Sequence, residues 1–146
     1  MEEKNFKHKI KINVRFSDLD VMRHVNNAAY LSYLEEARIA YFNDVLNMPK
    51  NSLNFGAIIA RIEIDYLQPI VLGDKLEVLT RVSKIGNKSS DVEHLIIIKR
   101  EKESIHAAAA LTKLVSYDYK KQQSVPIPVN VKDKIKAFEE TLAPSV

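Results

Sequence analysis

The feature that most constrains this chain is a change of period. Residues 8–16, HKIKINVRF, set Ile10, Ile12, Val14 and Phe16 against Lys9, Lys11, Asn13 and Arg15 in strict alternation. A β-strand with one buried face puts successive side chains on opposite sides in this way. From about Asn27 to Leu46 the apolar positions instead recur at helical spacing. Tyr30, Leu34, Ala37, Tyr41 and Val45 form one stripe, widened by Leu31 and Ala40. Asn26 or Asn27 can cap the start of this helix, and Met48-Pro49 ends it. Beyond it the period returns to two. AIIARIEIDYL alternates up to Pro69, KLEVLTRVS follows the Gly73-Asp74 turn, and SDVEHLIIIKR follows Ile85-Gly86-Asn87. In IHAAAALTKLVSYD the four alanines favour a helix by propensity. Leu111, Val115 and Tyr117 continue an alternation there, so the segment is read as a strand. Residues 129–142 close the pattern as a short, charged amphipathic helix.

A single long helix with a broad apolar face must be covered, and a long antiparallel sheet wrapped around it is the economical cover. The expected class is therefore α+β: one strand, one long helix, four antiparallel strands and a terminal helix. A length of 146 residues predicts one domain spanning 1–146. The composition, 46% hydrophobic and 28% charged, is that of a globular chain. With no cysteine, thiol mechanisms and cysteine-held metal sites are excluded, and a reducing compartment is consistent. The start, MEEKNFKHKIKINV, has no apolar signal-peptide core. The longest apolar runs, GAIIA and LIII, fall far short of the ~20 residues of a membrane span. A cytoplasmic protein with no membrane partner is expected. The net charge of +3 is spread over many segments without an Arg-rich helix, so no nucleic-acid partner is expected. A small anionic ligand accounts for such a surface.

The chemistry concentrates in RFSDLDVMRHVNNAAYL, residues 15–31. Its plain reading is a polar turn with an asparagine cap. Its functional reading starts from the same cap. A loop feeding a helix N-terminus faces unpaired N–H groups and the positive end of the helix dipole. Asp20 lies within about seven residues of that start. A carboxylate beside such donors is sufficient for acyl hydrolysis, as base or nucleophile, without serine or cysteine. Other chemistries fit less well. DLDV resembles the DxDxV of aspartate-nucleophile phosphatases, but that motif follows a fully buried parallel strand, and this strand alternates. Asp18, Asp20 and His24 can ligate a metal, yet no further His/Asp/Glu cluster completes a set, so no metal is expected. His8, His94 and His106 lie in or beside strands and are read as surface residues, and Glu35 as a solvated i,i+3 partner of Arg38.

The combined run VRFSDLDVMRHVNNAAYLSYLEEARIAYF closely resembles the signature of the hotdog-fold acyl-CoA thioesterases. The nearest groups are the 4-hydroxybenzoyl-CoA thioesterase-like family, the bacterial long-chain acyl-CoA thioesterases and the plant acyl-ACP thioesterases. The likeness continues through IEIDYLQPIVLGDKLEVLTRVSKIGNKS and covers roughly residues 8–128. It implies a hotdog fold, in which a five-stranded antiparallel sheet wraps a long helix. It also implies dimers with active sites at their interface, dimers paired into tetramers, and no cofactor beyond the coenzyme A of the substrate. The implied reaction is hydrolysis of an acyl-CoA to a free acid and coenzyme A. The alternatives are an acyl-ACP thioesterase and a hotdog domain that binds acyl-CoA without cleaving it.

Carried over by motif, Asp20 is the general base or nucleophile, and an N–H at or near Asn27 polarises the thioester carbonyl. His24 matches the histidine proposed as catalytic in the plant enzymes, with a loop-orienting role as the alternative elsewhere in the family. Lys88 and Ser89, with Lys84 and Arg81, fall where some relatives hold the coenzyme A phosphates. Tyr30, Tyr33, Leu34, Ile58 and Ile59 are the candidate acyl-pocket residues, suited to aliphatic or aryl groups. Two positions depart from the pattern. Met22 replaces an asparagine of the plant enzymes, which breaks an Asp-Asn-His trio, and Arg23 replaces a Gly-containing loop of the 4-hydroxybenzoyl-CoA enzyme.

Overall fold

The computed structural model describes residues 1–47 and 56–140. The elements are β1 (His8–Asn13), α1 (Asn27–Val45), β2 (Ala57–Tyr66), β3 (Lys75–Ile85), β4 (Ser89–Arg100), β5 (Glu103–Asp118), β6 (Gln123–Ser124) and α2 (Val129–Phe138). The five long strands form one antiparallel sheet in the order β1-β3-β4-β5-β2, and the two-residue β6 pairs with the end of β5. This is the α+β arrangement expected: a long helix held by a five-stranded curled sheet. The short β6 was not anticipated, since two residues carry no readable period. The Met48-Pro49 helix stop and the end of the 129–142 helix lie outside the described residues; α2 ends at Phe138.

The sheet curls because three register shifts interrupt it, between Ile59 and Arg61, Val82 and Lys84, and Ile96 and Ile97. Each bulge bends its strand and strengthens the local twist. The helix α1 lies in the resulting concavity. Its N-terminal half packs Tyr30, Tyr33, Leu34 and Ala37 against Ile12, Leu76, Val78, Ile96, Ala108 and Ala110. Its C-terminal half packs Tyr41 and Phe42 against Val82, Ile85, Val92 and Leu114, closed by Ile135 of α2. The alanines of β5 are strand, paired on both sides, with Ala108 and Ala110 in the concave face. Pairing with two neighbours overrides their helical propensity, and their small side chains leave room for two helix tyrosines, Tyr30 and Tyr33. Leu31 departs from the expected stripe: it is 40% exposed, on the flank of α1 turned away from the core.

His94 is not on the surface. The alternation of β4 puts Val92, His94 and Ile96 on the concave face, and His94 is fully buried under α1. Its Nδ1 is 3.0 Å from the Thr80 hydroxyl on the facing strand. His8 is buried as well, with Nε2 2.7 Å from Asp44 of α1. Burial, reinforced by the charge of Arg38, pushes the His94 pKa down to about 3. An unfolded histidine titrates near 6.5. Between those values the unfolded chain binds a proton that the folded chain refuses, so stability must fall as the pH drops below about 6.5. The melting temperature should therefore decline between pH 7 and 5. A His94→Gln variant should show a shallower decline over that interval, and an equal slope would contradict this origin.

Candidate active site

The β1–α1 connection is built around two aspartates with different surroundings. Asp18 ends a 3-10 turn (Phe16–Asp18) and is buried. Its carboxylate accepts the Tyr33 hydroxyl at 2.7 Å, the Arg15 N–H at 2.9 Å and the Arg15 guanidinium at 3.3 Å. Its carbonyl accepts the Asn26 N–H at 2.7 Å. Burial opposes the charge of Asp18, but the hydrogen bonds from Tyr33 and Arg15 outweigh it and hold the carboxyl below the usual carboxylate range. Asp18 is thus the tie between strand, loop and helix. For the same reason the Tyr33 phenol is pushed up, by burial first and then by Asp18.

Asp20 is exposed and holds a tighter turn. Its Oδ1 accepts the N–H groups of Met22 at 2.9 Å and His24 at 3.3 Å, while its own N–H donates to the His24 carbonyl at 2.8 Å. The turn passes through Arg23 at φ 62°, in the left-handed region. The other carboxylate oxygen, Oδ2, makes no hydrogen bond among the described residues. Val25 then donates to the Ile70 carbonyl at 2.8 Å, and His24 bridges Val71, which anchors the loop to the segment after β2. Asn26 caps α1, its Oδ1 accepting the Ala28 N–H at 2.9 Å. The Asn27 N–H makes no hydrogen bond among the described residues, as expected of a first helical turn.

Asp20, His24, Asn27 and Tyr30 line one cleft of about 360 Å³ with Tyr66 and Gln68. Tyr66 donates its hydroxyl to the Asn27 carbonyl at 3.2 Å and meets Tyr30 edge to face at 4.9 Å. The Asp20 carboxylate and the first N–H of α1 therefore share a cleft whose wall is aromatic. Tyr66 and Gln68 were missed in the sequence, although they sit in the DYLQP run directly after an alternating strand. Among the described residues no group of three or more His, Asp or Glu side chains can hold a metal ion.

The chain matches the model of the thioesterase-like superfamily over residues 14–136. The chain belongs to the thioesterase-like superfamily. The long-chain acyl-CoA thioesterase FadM of Escherichia coli K12 is 31% identical over 129 residues, covering 86% of this chain and 94% of that protein. A thioesterase of Thermus thermophilus, solved with coenzyme A and Zn, is 36% identical and covers 97% of this chain and 98% of its own, with a TM-score of 0.80. A 4-hydroxybenzoyl CoA thioesterase solved with 4-hydroxybenzoyl CoA superposes with a TM-score of 0.77 over 88% of this chain and 97% of its own; at 15% identity it shows the shared hotdog fold alone.

Not every sequence-predicted residue of this superfamily member reaches the cleft. Tyr33 and Leu34 are buried in the core, where Tyr33 serves Asp18 rather than an acyl pocket. Ile58 and Ile59 begin β2, at the end opposite Tyr66, and line a second, larger groove. Lys84, Lys88 and Ser89 also lie at that far end, beside the β3–β4 turn. The 11 residues of β3 span roughly 35 Å, so these groups do not meet Asp20 of the same chain. Arg81 is on the outer face, 3.1 Å from Glu93 and against the Phe6 ring. Replacing Asp18 with Asn should lower stability by about 1–3 kcal/mol, and Tyr33→Phe by about 1 kcal/mol. Urea denaturation checks both, and an unchanged midpoint for Asp18→Asn would contradict the tie.

Proposed function

We propose that this protein is an acyl-CoA thioesterase in which Asp20 and the N-terminus of α1 act together on the thioester. One observation carries the reading: Asp20 and Asn27 line the same cleft at the helix start, and the Asp20 Oδ2 and the Asn27 N–H make no hydrogen bond among the described residues. The thioester carbonyl oxygen accepts the Asn27 N–H and faces the positive end of α1, which stabilises the oxyanion as the carbonyl is attacked. Asp20 Oδ2 either removes a proton from the attacking water or attacks the carbonyl itself to give a mixed anhydride. Coenzyme A leaves as the thiol, taking up a proton that comes from water; in the second case a water then hydrolyses the mixed anhydride, so that in both the acyl group leaves as a free acid and the Asp20 carboxylate is restored. His24 lines the same wall, and its backbone fixes the Asp20 carboxylate through its N–H. Membership of the superfamily, and the similarity to FadM, a long-chain acyl-CoA thioesterase, support the substrate class. The apolar lining favours aliphatic or aryl acyl groups, as in fatty acid metabolism, and a cytoplasmic location is part of the same reading.

The cleft is open on the β2 side, and a second copy of the chain is proposed to complete it. Among the described residues β2 has a neighbour on one edge only, β5, and Ile59 is 47% exposed. An unpaired apolar edge of this length is a template for pairing. Two β2 strands paired antiparallel about a two-fold axis bring the Ile58–Ile59 end of one chain beside the Tyr66 end of the other. That places the partner's larger groove next to this cleft, and it is how Ile58, Ile59, Lys84, Lys88 and Ser89 would come within reach of substrate. Dimers pairing again into a tetramer fit the same reading.

Asp20→Asn should keep its fold and lose roughly 10²- to 10⁴-fold in kcat/KM on acyl-CoAs, measured by release of free thiol. Turnover within a few-fold of wild type would remove Asp20 from the mechanism. Tight acyl-CoA binding by the wild type with no thiol released would instead make the chain a binding domain.

A further inference from the structure

The proposed chemistry leaves the arginine of the larger groove without a role. Arg38 is only 8% exposed, although it lines the wall of that groove. The expected ion pair with Glu35 does not form: among the described residues the Arg38 guanidinium makes no hydrogen bond or ion pair, and its Nη1 is buried without a partner. Two more polar atoms on the concave face of the sheet are buried without partners, His94 Nε2 and Thr112 Oγ1. They are diagonal neighbours across the β4–β5 pair, where Val92 faces Thr112 and His94 faces Ala110. His94 stays neutral there and adds no second cation.

The exposed Glu35 carboxylate acts on the Arg38 guanidinium through space but makes no contact with it, and a desolvated guanidinium so weakly compensated is a costly arrangement. A carboxylate supplies both the charge and the paired acceptors that the guanidinium fork fits. The remainder of the groove, about 870 Å³, is largely apolar, with Ile39, Phe42, Ile59, Leu114, Ile127 and Ile135 on its walls. That volume is in the range of small-molecule sites. The other charged groups on its lining are Glu35, Asp118 and Lys120. Glu35 and Lys120 are exposed, and the Asp118 carboxylate accepts the backbone N–H groups of Lys120 and Lys121.

We propose that the larger groove binds an apolar chain ending in a carboxylate, with the carboxylate on Arg38 and the chain along the isoleucine-lined wall. Two sources share this chemistry: a free aliphatic acid, or the distal carboxylate of a dicarboxylic acyl group. No residue lines both this groove and the Asp20 cleft of the same chain. Binding is therefore read without turnover, and its outcome is independent of the Asp20 assay.

Isothermal titration of the whole protein with dodecanoate and with dodecan-1-ol decides. The wild type should bind the acid at least roughly tenfold more tightly than the alcohol. Arg38→Met should abolish that preference and leave the affinity for the alcohol unchanged. Equal affinity of the wild type for the two ligands, or an acid preference that survives Arg38→Met, overturns the proposal. If Arg38→Met does not fold, Arg38→Lys should bind the acid more weakly than wild type yet still prefer it to the alcohol, and loss of acid binding with no fall in charge would count against the site. Hydrolysis of dodecanedioyl-CoA and dodecanoyl-CoA then separates the sources. A higher kcat/KM for the dicarboxylic thioester assigns the carboxylate to the substrate, and equal values assign it to a free acid.

Discussion

Everything in this molecule depends on how closely α1 can approach the sheet. The concave face carries Ala108 and Ala110 where the helix brings Tyr30, Tyr33 and Leu34, and large strand residues at those positions would lift the helix away. Burial of such side chains contributes about 1.5–3 kcal/mol each, so the seating of the helix is strongly determined. Once seated, α1 fixes the site by its first residues. Tyr33, nearly two turns into the helix, reaches the Asp18 carboxylate, and Asp18 in turn receives the Asn26 N–H through its carbonyl. A single buried carboxylate thereby registers the loop against the helix, and the Asp20 turn and the free Asn27 N–H take their positions from it.

The fold was legible because its two periods are clean. β1 alternates from His8 to Asn13, although the expected strand ran on to Phe16, which is 81% exposed in the following 3-10 turn, and the α1 stripe from Tyr30 to Tyr41 is buried as the spacing implies. Departures came where a residue type and its position disagree. Four successive alanines say helix, and pairing with β4 and β2 decides for strand. His94 is polar in an alternating strand, yet it falls on the same face as Val92 and Ile96, a parity that the sequence did display. Arg38 is the harder case. It lies between Leu34 and Tyr41 on a helix and i,i+3 to Glu35, a spacing that usually gives a solvated pair; its burial follows from the curl of the sheet, which no local pattern encodes.

The site was legible in part, and the division is physical. Asp20, His24 and Asn27 are close in sequence, so a turn and a cap suffice to bring them together. Tyr66 and Gln68 come from the end of β2, nearly forty residues later, and reach the cleft only because β2 runs antiparallel to β5 along the far edge of the sheet. Ile58 and Ile59 were expected beside Tyr30 on grounds of polarity alone. Strand direction separates them: the residues that begin β2 pair with Leu114 and Val115, at the opposite end from the Asp20 loop. The proposed pairing of two β2 strands would bring the two ends back together.

The two aspartates of the opening loop show how the same side chain is committed to different tasks by its surroundings. Asp18 has both oxygens occupied, by Tyr33 and by Arg15, and is out of water. It has no lone pair directed at a ligand, and removing its charge would undo the loop. Asp20 uses one oxygen on two backbone N–H groups of its own turn, which fixes the carboxylate plane, and leaves the second without a hydrogen bond among the described residues. The cap divides its donors in the same manner. Asn26 satisfies Ala28 through its side chain, so the N–H of Asn27 is left for a ligand. In the proposed mechanism a carboxylate oxygen fixed by its own turn and a helix donor fixed by its cap stand ready before substrate arrives, which is the condition under which such groups favour a transition state over a ground state.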